Sequence, residues 1–184
     1  MHLVLVLSGS TDRGHQEEAG QLARLILETE KPNLLHQGVA HLALARVAQS
    51  QKELPVAEVQ ARRAGELLTG LMPFQLIALR SLCVALLAGG RPEEAREVAD
   101  RAIQALEQMG GEGSGAVGAW LSLAEAAIAQ GKSGIEENAM RKAGKILDRR
   151  AQDITDPAAR ERFMSRVPEH ARTRDLLRER WGIA

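Results

Sequence analysis

The sequence predicts an all-α protein: a row of antiparallel helical hairpins closed by a terminal helix pair. Three observations carry this. Aromatic residues make up 2% of the 184 residues and Tyr is absent. Ala and Leu must therefore fill the core, which favours helix on helix over sheets rich in aromatic and β-branched side chains. Second, the stretch Leu86-Leu87-Ala88-Gly89-Gly90-Arg91-Pro92-Glu93-Glu94-Ala95 reads as one helix ending at a Gly pair and another beginning at Pro92. Gly supplies the left-handed residue that ends a helix, and Pro suits the first position of the next. Third, small residues recur in register. Ala57 and Ala64, Ala95 and Ala102, and (degenerately) Glu136 and Ala143 stand seven apart, each pair preceded twelve residues earlier by Ala45, Cys83 or Ala124. Leu44, Leu82 and Leu123 come one residue before these, and His41, Leu79 and Trp120 three before those. The register repeats after 38 residues (Ala57 to Ala95) and again after 41 (Ala102 to Ala143).

Taken in order, Leu3 to Leu7 is an apolar run with no preceding Lys or Arg and no cleavage-like site after it. It is too short for a secretory core or a membrane span. With no partner strand in view, it reads as the second half of a helix. Thr11-Asp12-Arg13-Gly14 reads as a turn, and 16–29 as a helix with Ala19, Leu22, Ala23, Leu25 and Ile26 on its apolar stripe. Pro32 would open a helix over 33–50 carrying Leu34, Leu35, Val39, Leu42, Leu44, Ala45 and Ala48. Leu54-Pro55 opens another, lined by Ala57, Ala61, Ala64, Leu67 and Leu68 and ended by Gly70. Pro73 starts the next, through Phe74, Leu76, Leu79, Leu82, Cys83 and Leu86. The helix from Pro92 ends near Met109, and the Gly-rich segment 110–115 is a flexible loop. Trp120, Leu121, Leu123, Ala124, Ala127 and Ile128 mark a helix that stops at Gln130-Gly131. Ser133 and Glu136 have the spacing of a capping box for its partner, which carries Ala139, Met140, Ala143, Ile146 and Leu147. Asp156 reads as the N-cap of a further helix, and Pro168 begins a last one ending near Trp181.

Formal net charge is zero, from 24 basic and 24 acidic residues. Broad electrostatic attraction to nucleic acid or an anionic membrane is therefore not expected. The single Cys83 lies in an apolar helical run and reads as a small buried hydrophobe. One cysteine offers no internal disulfide, which fits a reducing, cytoplasmic setting. Catalytic patterns fail on context. Gly131-Lys132-Ser133 resembles the end of a phosphate-binding loop but follows a helix, and Ala126 stands where the first Gly is needed. His2, His15, His36, His41 and His170 lack zinc spacing. Paired acids such as Glu93-Glu94 and Glu136-Glu137 sit at helix starts, where the dipole favours them. The expectation is a protein that is not an enzyme, with no cofactor and no metal.

The register resembles that of the tetratricopeptide repeat family. Trp120-Leu121-Ser122-Leu123-Ala124 with Gly131 follows the family signature best, and Leu82, Gly90, Ala95 and Ala102 follow it in the preceding repeat. The repeats exceed the usual length, the family's Tyr and Phe positions hold Ala or similar residues, and its terminal Pro is missing. The resemblance implies a right-handed α-α superhelix of TPR-like repeats over residues 1–152, the first repeat truncated, and a capping helix pair over 153–184. The tail adds a second likeness. Asp156-Pro157-Ala158-Ala159-Arg160-Glu161-Arg162-Phe163 followed by Val167-Pro168-Glu169 resembles the C-terminal repeat region of large bacterial signalling proteins, in which a Ser/Thr kinase or other regulator accompanies a STAND-type switch ATPase. In that setting Phe163 and Trp181 would plug the end of the core, and the surrounding Arg and Glu would solvate it.

In such arrays the first helix of each hairpin lines a concave groove. Carried over, this gives Arg46 and Gln49 from one repeat, Arg80, Val84 and Leu87 from the next, and Leu121 and Glu125 from the last as partner-binding residues. An apolar floor edged by arginines suits an amphipathic helix or an extended peptide bearing an acidic group. The implied function is a non-catalytic interaction scaffold or sensor module in bacterial signalling, with a protein or peptide partner. The alternatives are a small-molecule-sensing regulatory domain and a self-associating module using Leu3 to Leu7.

Overall fold

The computed structural model describes residues 2–10, 12–29 and 33–183. They form ten helices: α1 (His2–Ser8), α2 (Arg13–Glu28), α3 (Leu34–Ser50), α4 (Leu54–Leu67), α5 (Phe74–Ala88), α6 (Pro92–Gln108), α7 (Ala116–Ala129), α8 (Ser133–Gln152), α9 (Pro157–Arg166) and α10 (Pro168–Trp181). No strand occurs among the described residues. No described helix is long and apolar enough to cross a membrane.

The turns carry the repeat in their backbone. Just beyond the last turn of α3, α5 and α7 stands a left-handed residue: Lys52 (φ 62°), Gly90 (φ 72°) and Gly131 (φ 69°). The next amide then reaches back over the helix end. Glu53 N–H donates to the Ala48 carbonyl at 2.9 Å, Arg91 N–H to Leu86 at 2.9 Å and Lys132 N–H to Ala127 at 2.8 Å. This closure satisfies carbonyls that the helix leaves without partners. The three turns are spaced as the alanine register is. The same turn explains why Gly131-Lys132-Ser133 looked like a phosphate loop: it joins two helices.

Each helix from α1 to α8 packs on the next. In addition α1 packs on α3, α3 on α5, α5 on α7, and α7 on α10, while α1 and α10 do not touch. One row is thus α1, α3, α5 and α7, with α2, α4, α6 and α8 behind it, and α10 lies against the last helix of each row, α7 and α8. The back row approaches through small residues. Ala57, Ala61 and Ala64 of α4, Ala95, Ala99 and Ala102 of α6, and Ala139 and Ala143 of α8 are all buried. Gly38 does the same from α3: a Cβ there would lie 2.5 Å from Cγ of the buried Leu68.

One large core runs from α5 through α8, taking in Leu176 of α10 together with Ala45 and Ala61. The amino-terminal helices instead share four small clusters, such as Leu7 with Ala19 and Val47. At the other end Asp156 caps α9, accepting from the amides of Ala158 (3.2 Å) and Ala159 (3.0 Å). Phe163 and Trp181 are half-buried against the large core. It is α10 that enters the packing, through His170, Thr173 and Leu176.

Several sequence expectations need correction. α2 begins at Arg13 with Asp12 as its N-cap, which accepts from His15 N–H at 3.0 Å; the expected turn continues into the helix. Leu25 and Leu34 are exposed: the buried side of α2 is that of Ala19, Gly20 and Ala23, and at the start of α3 it is Leu35, not Leu34, that packs against the cluster of Val39, Ala64 and Leu68. The Ser133–Glu136 capping box does not form. Ser133 is already helical, and Glu136 is buried and engaged by Arg180 of α10 at 2.5 Å. Pro32, read as a helix opener, lies outside the described residues; Asn33 caps α3 by accepting from His36 N–H at 2.8 Å.

Candidate functional site

Helical spacing sets the site. Arg46 and Gln49 on α3, Arg80, Val84 and Leu87 on α5, and Glu125 and Ile128 on α7 recur at steps of three and four, so each set projects from one side of its helix. These side chains converge on one cavity of about 780 Å³. Ser8 and Gly9 at the end of α1 bound it on one side; Glu169, Arg172, Leu176 and Glu179 of α10 bound it on the other. Helices that do not touch thus face the same space. Six of the seven residues expected in a groove line this cavity. Leu121 does not: it is fully buried in the large core, between α7 and its neighbours.

The charges divide into two corners. In one, Arg80 donates to Glu125 at 2.5 Å and to Ser122 Oγ at 3.4 Å, and the other Glu125 oxygen lies 3.4 Å from Arg172 Nε. Arg172 also approaches Glu179 at 3.6 Å. Arg80 and Glu125 are 15% and 17% exposed, a setting in which ion pairs are screened less than at the surface. One glutamate therefore clasps α5, α7 and α10 together. Arg180, at the rim, is held by Glu136.

In the other corner stands Arg46. It is half-buried, and among the described residues no carboxylate lies within ion-pair distance of it. Its contact is a long hydrogen bond, Nη1 to the Leu5 carbonyl at 3.5 Å. Desolvation is the largest influence on its guanidinium and lowers the pKa; Glu169 opposes that from a distance, and Arg80 adds to it. Close by, Gln49 Nε2 donates to the Ser81 carbonyl (2.7 Å) and Oγ (3.1 Å), fixing α3 against α5. The apolar floor between the corners is Val84, Leu87, Ile128 and Leu176.

Elsewhere the chemistry is structural. Cys83 is buried, and desolvation pushes its thiol up to about 11. His41 Nδ1 lies 2.6 Å from Gln60 Oε1, and His170 Nδ1 2.9 Å from the Phe163 carbonyl, with the two rings 4.4 Å apart. No group of three or more His, Cys, Asp or Glu that could hold a metal occurs among the described residues.

The contribution of α10 was missed in the sequence, although a signal was present. Glu169, Arg172, Leu176 and Glu179 are spaced three, four and three apart, the mark of one helix side turned to a common surface. No family model, curated protein or solved structure matches the chain.

Proposed function

We propose that the chain is a non-catalytic interaction scaffold, a right-handed superhelix of TPR-like hairpins whose concave side receives an amphipathic helix or an extended peptide carrying an acidic group. The observation that carries this is convergence. Side chains from three successive hairpins meet on one cavity with an apolar floor and an arginine at its edge that forms no ion pair among the described residues. Such a surface fits a peptide that buries apolar side chains and brings its own anion. The likeness of the last two helices to the ends of bacterial signalling proteins makes a cytoplasmic sensor or scaffold role in such a system the fitting context.

The test places a photo-crosslinking residue at Val84, on the cavity floor, and another at Val59, exposed on α4. Cell extract should yield partner adducts at Val84 and not at Val59. Arg46→Glu should abolish them with the circular dichroism spectrum unchanged. Adducts that survive Arg46→Glu would count against the groove. Arg80→Glu is a poor companion variant, since it would set two carboxylates against each other at Glu125.

A second reading, self-association, is favoured by one observation. Leu3 and Val6 on α1 and Leu25 on α2 are more than half exposed at the same end of the molecule. Light scattering over a dilution series should show dimers that Val6→Glu dissolves; a monomer at every concentration ends this reading.

A further inference from the structure

We infer that the same cavity is a receptor for a small organic acid with one carboxylate and an apolar body, bound with the carboxylate on Arg46. The inference goes beyond the scaffold reading and does not need a protein partner. It starts from the count of charges around the cavity. Four arginines and three glutamates line it. Arg80 and Arg172 share Glu125, Arg172 also reaches Glu179, and Arg180 is taken by Glu136. Arg46 is left over.

A partly desolvated guanidinium with one long hydrogen bond is an unfavourable thing to keep in a fold. Burial of a charge is normally offset by a partner in good geometry. Here the surroundings supply one carbonyl at 3.5 Å, and a second arginine nearby that depresses the pKa further. A planar, five-donor fork with most donors unused and a cavity in front of it is arranged to take a carboxylate through two parallel hydrogen bonds. Glu169 sets the valence. It faces Arg46 across the space without pairing to it, so a dianion such as phosphate would be repelled where a single carboxylate is accepted.

The rest of the cavity fixes the body of the ligand. Val84, Leu87, Ile128 and Leu176 form an apolar floor leading away from Arg46. The volume, about 780 Å³, lies within the range of small-molecule pockets, roughly 300–1,000 Å³. α10 is what gives this space its far wall. Without it the surface would be an open groove suited only to a longer partner. The end of α1 closes the opposite side at Ser8 and Gly9, so an acid of moderate length fits between the two walls.

The experiment is calorimetric titration of the purified full chain. The probes are sodium octanoate and 3-phenylpropanoate, their neutral counterparts 1-octanol and 3-phenylpropanamide, and inorganic phosphate. At least one carboxylate should saturate at one site per chain, tenfold or more tighter than its neutral counterpart, with phosphate weaker still. Arg46→Gln should lose at least tenfold of that affinity, Arg46→Lys should retain part of it, and Arg13→Gln, at an exposed arginine paired with Glu17, should change nothing. The inference is overturned if neither carboxylate saturates, if a neutral counterpart binds as tightly, or if Arg46→Gln binds like the parent. Arg46 makes so little contact in the fold that both variants should keep the parent spectrum. A chain that crosslinks a partner at Val84 but takes up no carboxylate would refute this inference and leave the scaffold reading standing.

Discussion

The two ends of the molecule solve the same packing problem differently. From α5 to α10 a single core joins every helix except α9, whose Phe163 and Met164 only pack against it, and the charges above that core are matched through Glu125. From α1 to α4 the apolar contacts break into small clusters, six leucines and valines on the helix surfaces face outward, and among the described residues no carboxylate pairs with Arg46. The cavity straddles this boundary. The lesson is that the carboxyl half holds its shape by its own contacts, whereas the amino half holds a wall of the cavity in place and leaves one charge for something else to meet.

The largest expected effect tests the cores. Leu106 is fully buried in the large cluster, and Leu106→Ala should cost about 3 kcal/mol in urea unfolding. Leu7, in a cluster of three, should cost less when changed to Ala, about 2 kcal/mol, because fewer buried neighbours surround it. Equal losses would erase the contrast. Next comes the clasp. Glu125→Ala leaves Arg80 without its main partner in a largely buried setting and loosens α10, so about 2 kcal/mol should be lost, with faster amide exchange in α10 than in α8. A loss confined to α7 would show that α10 is held by Leu176 and Thr173 alone. Smaller again is Lys52. It occupies a left-handed position that its counterparts in the other two turns fill with Gly, so Lys52→Gly should gain about 1 kcal/mol. No gain would mean that the three turns are less alike than their hydrogen bonds indicate. Finally, Cys83 should not react with a thiol reagent at pH 8. Its thiol, pushed up to about 11, stays protonated there, and it should react only upon unfolding; fast labelling in the folded state would mean the α5–α6 interface opens.

Much of the architecture was legible in the sequence because it rests on features that sequence states directly. Gly90, Gly131 and Pro92 mark turns by their own stereochemistry, and alanines seven apart mark a helix side packed at close range. What was not legible depended on who stands opposite. Ser133 and Glu136 have the spacing of a capping box, yet Arg180, distant in sequence, competes for Glu136 and wins. Leu121, four residues before Glu125, has groove spacing but is fully buried in the large core. Arg46 and Arg80 look equivalent on paper, each an arginine on the front of its helix. Only the position of Glu125 relative to α10 makes one a structural brace and the other a spare cation.

That distinction is the claim on which the reading of the cavity rests, and one pair of melting curves tests it. Arg80→Met removes a paired charge and leaves Glu125 only its longer contact with Arg172, so its melting temperature should fall. Arg46→Met replaces a guanidinium that forms no ion pair with a shorter apolar chain at the cavity wall, so its melting temperature should rise. Opposite signs are the expected result. If Arg46→Met melts lower than the parent, as Arg80→Met does, Arg46 is a structural residue and the cavity has no charge to offer a ligand.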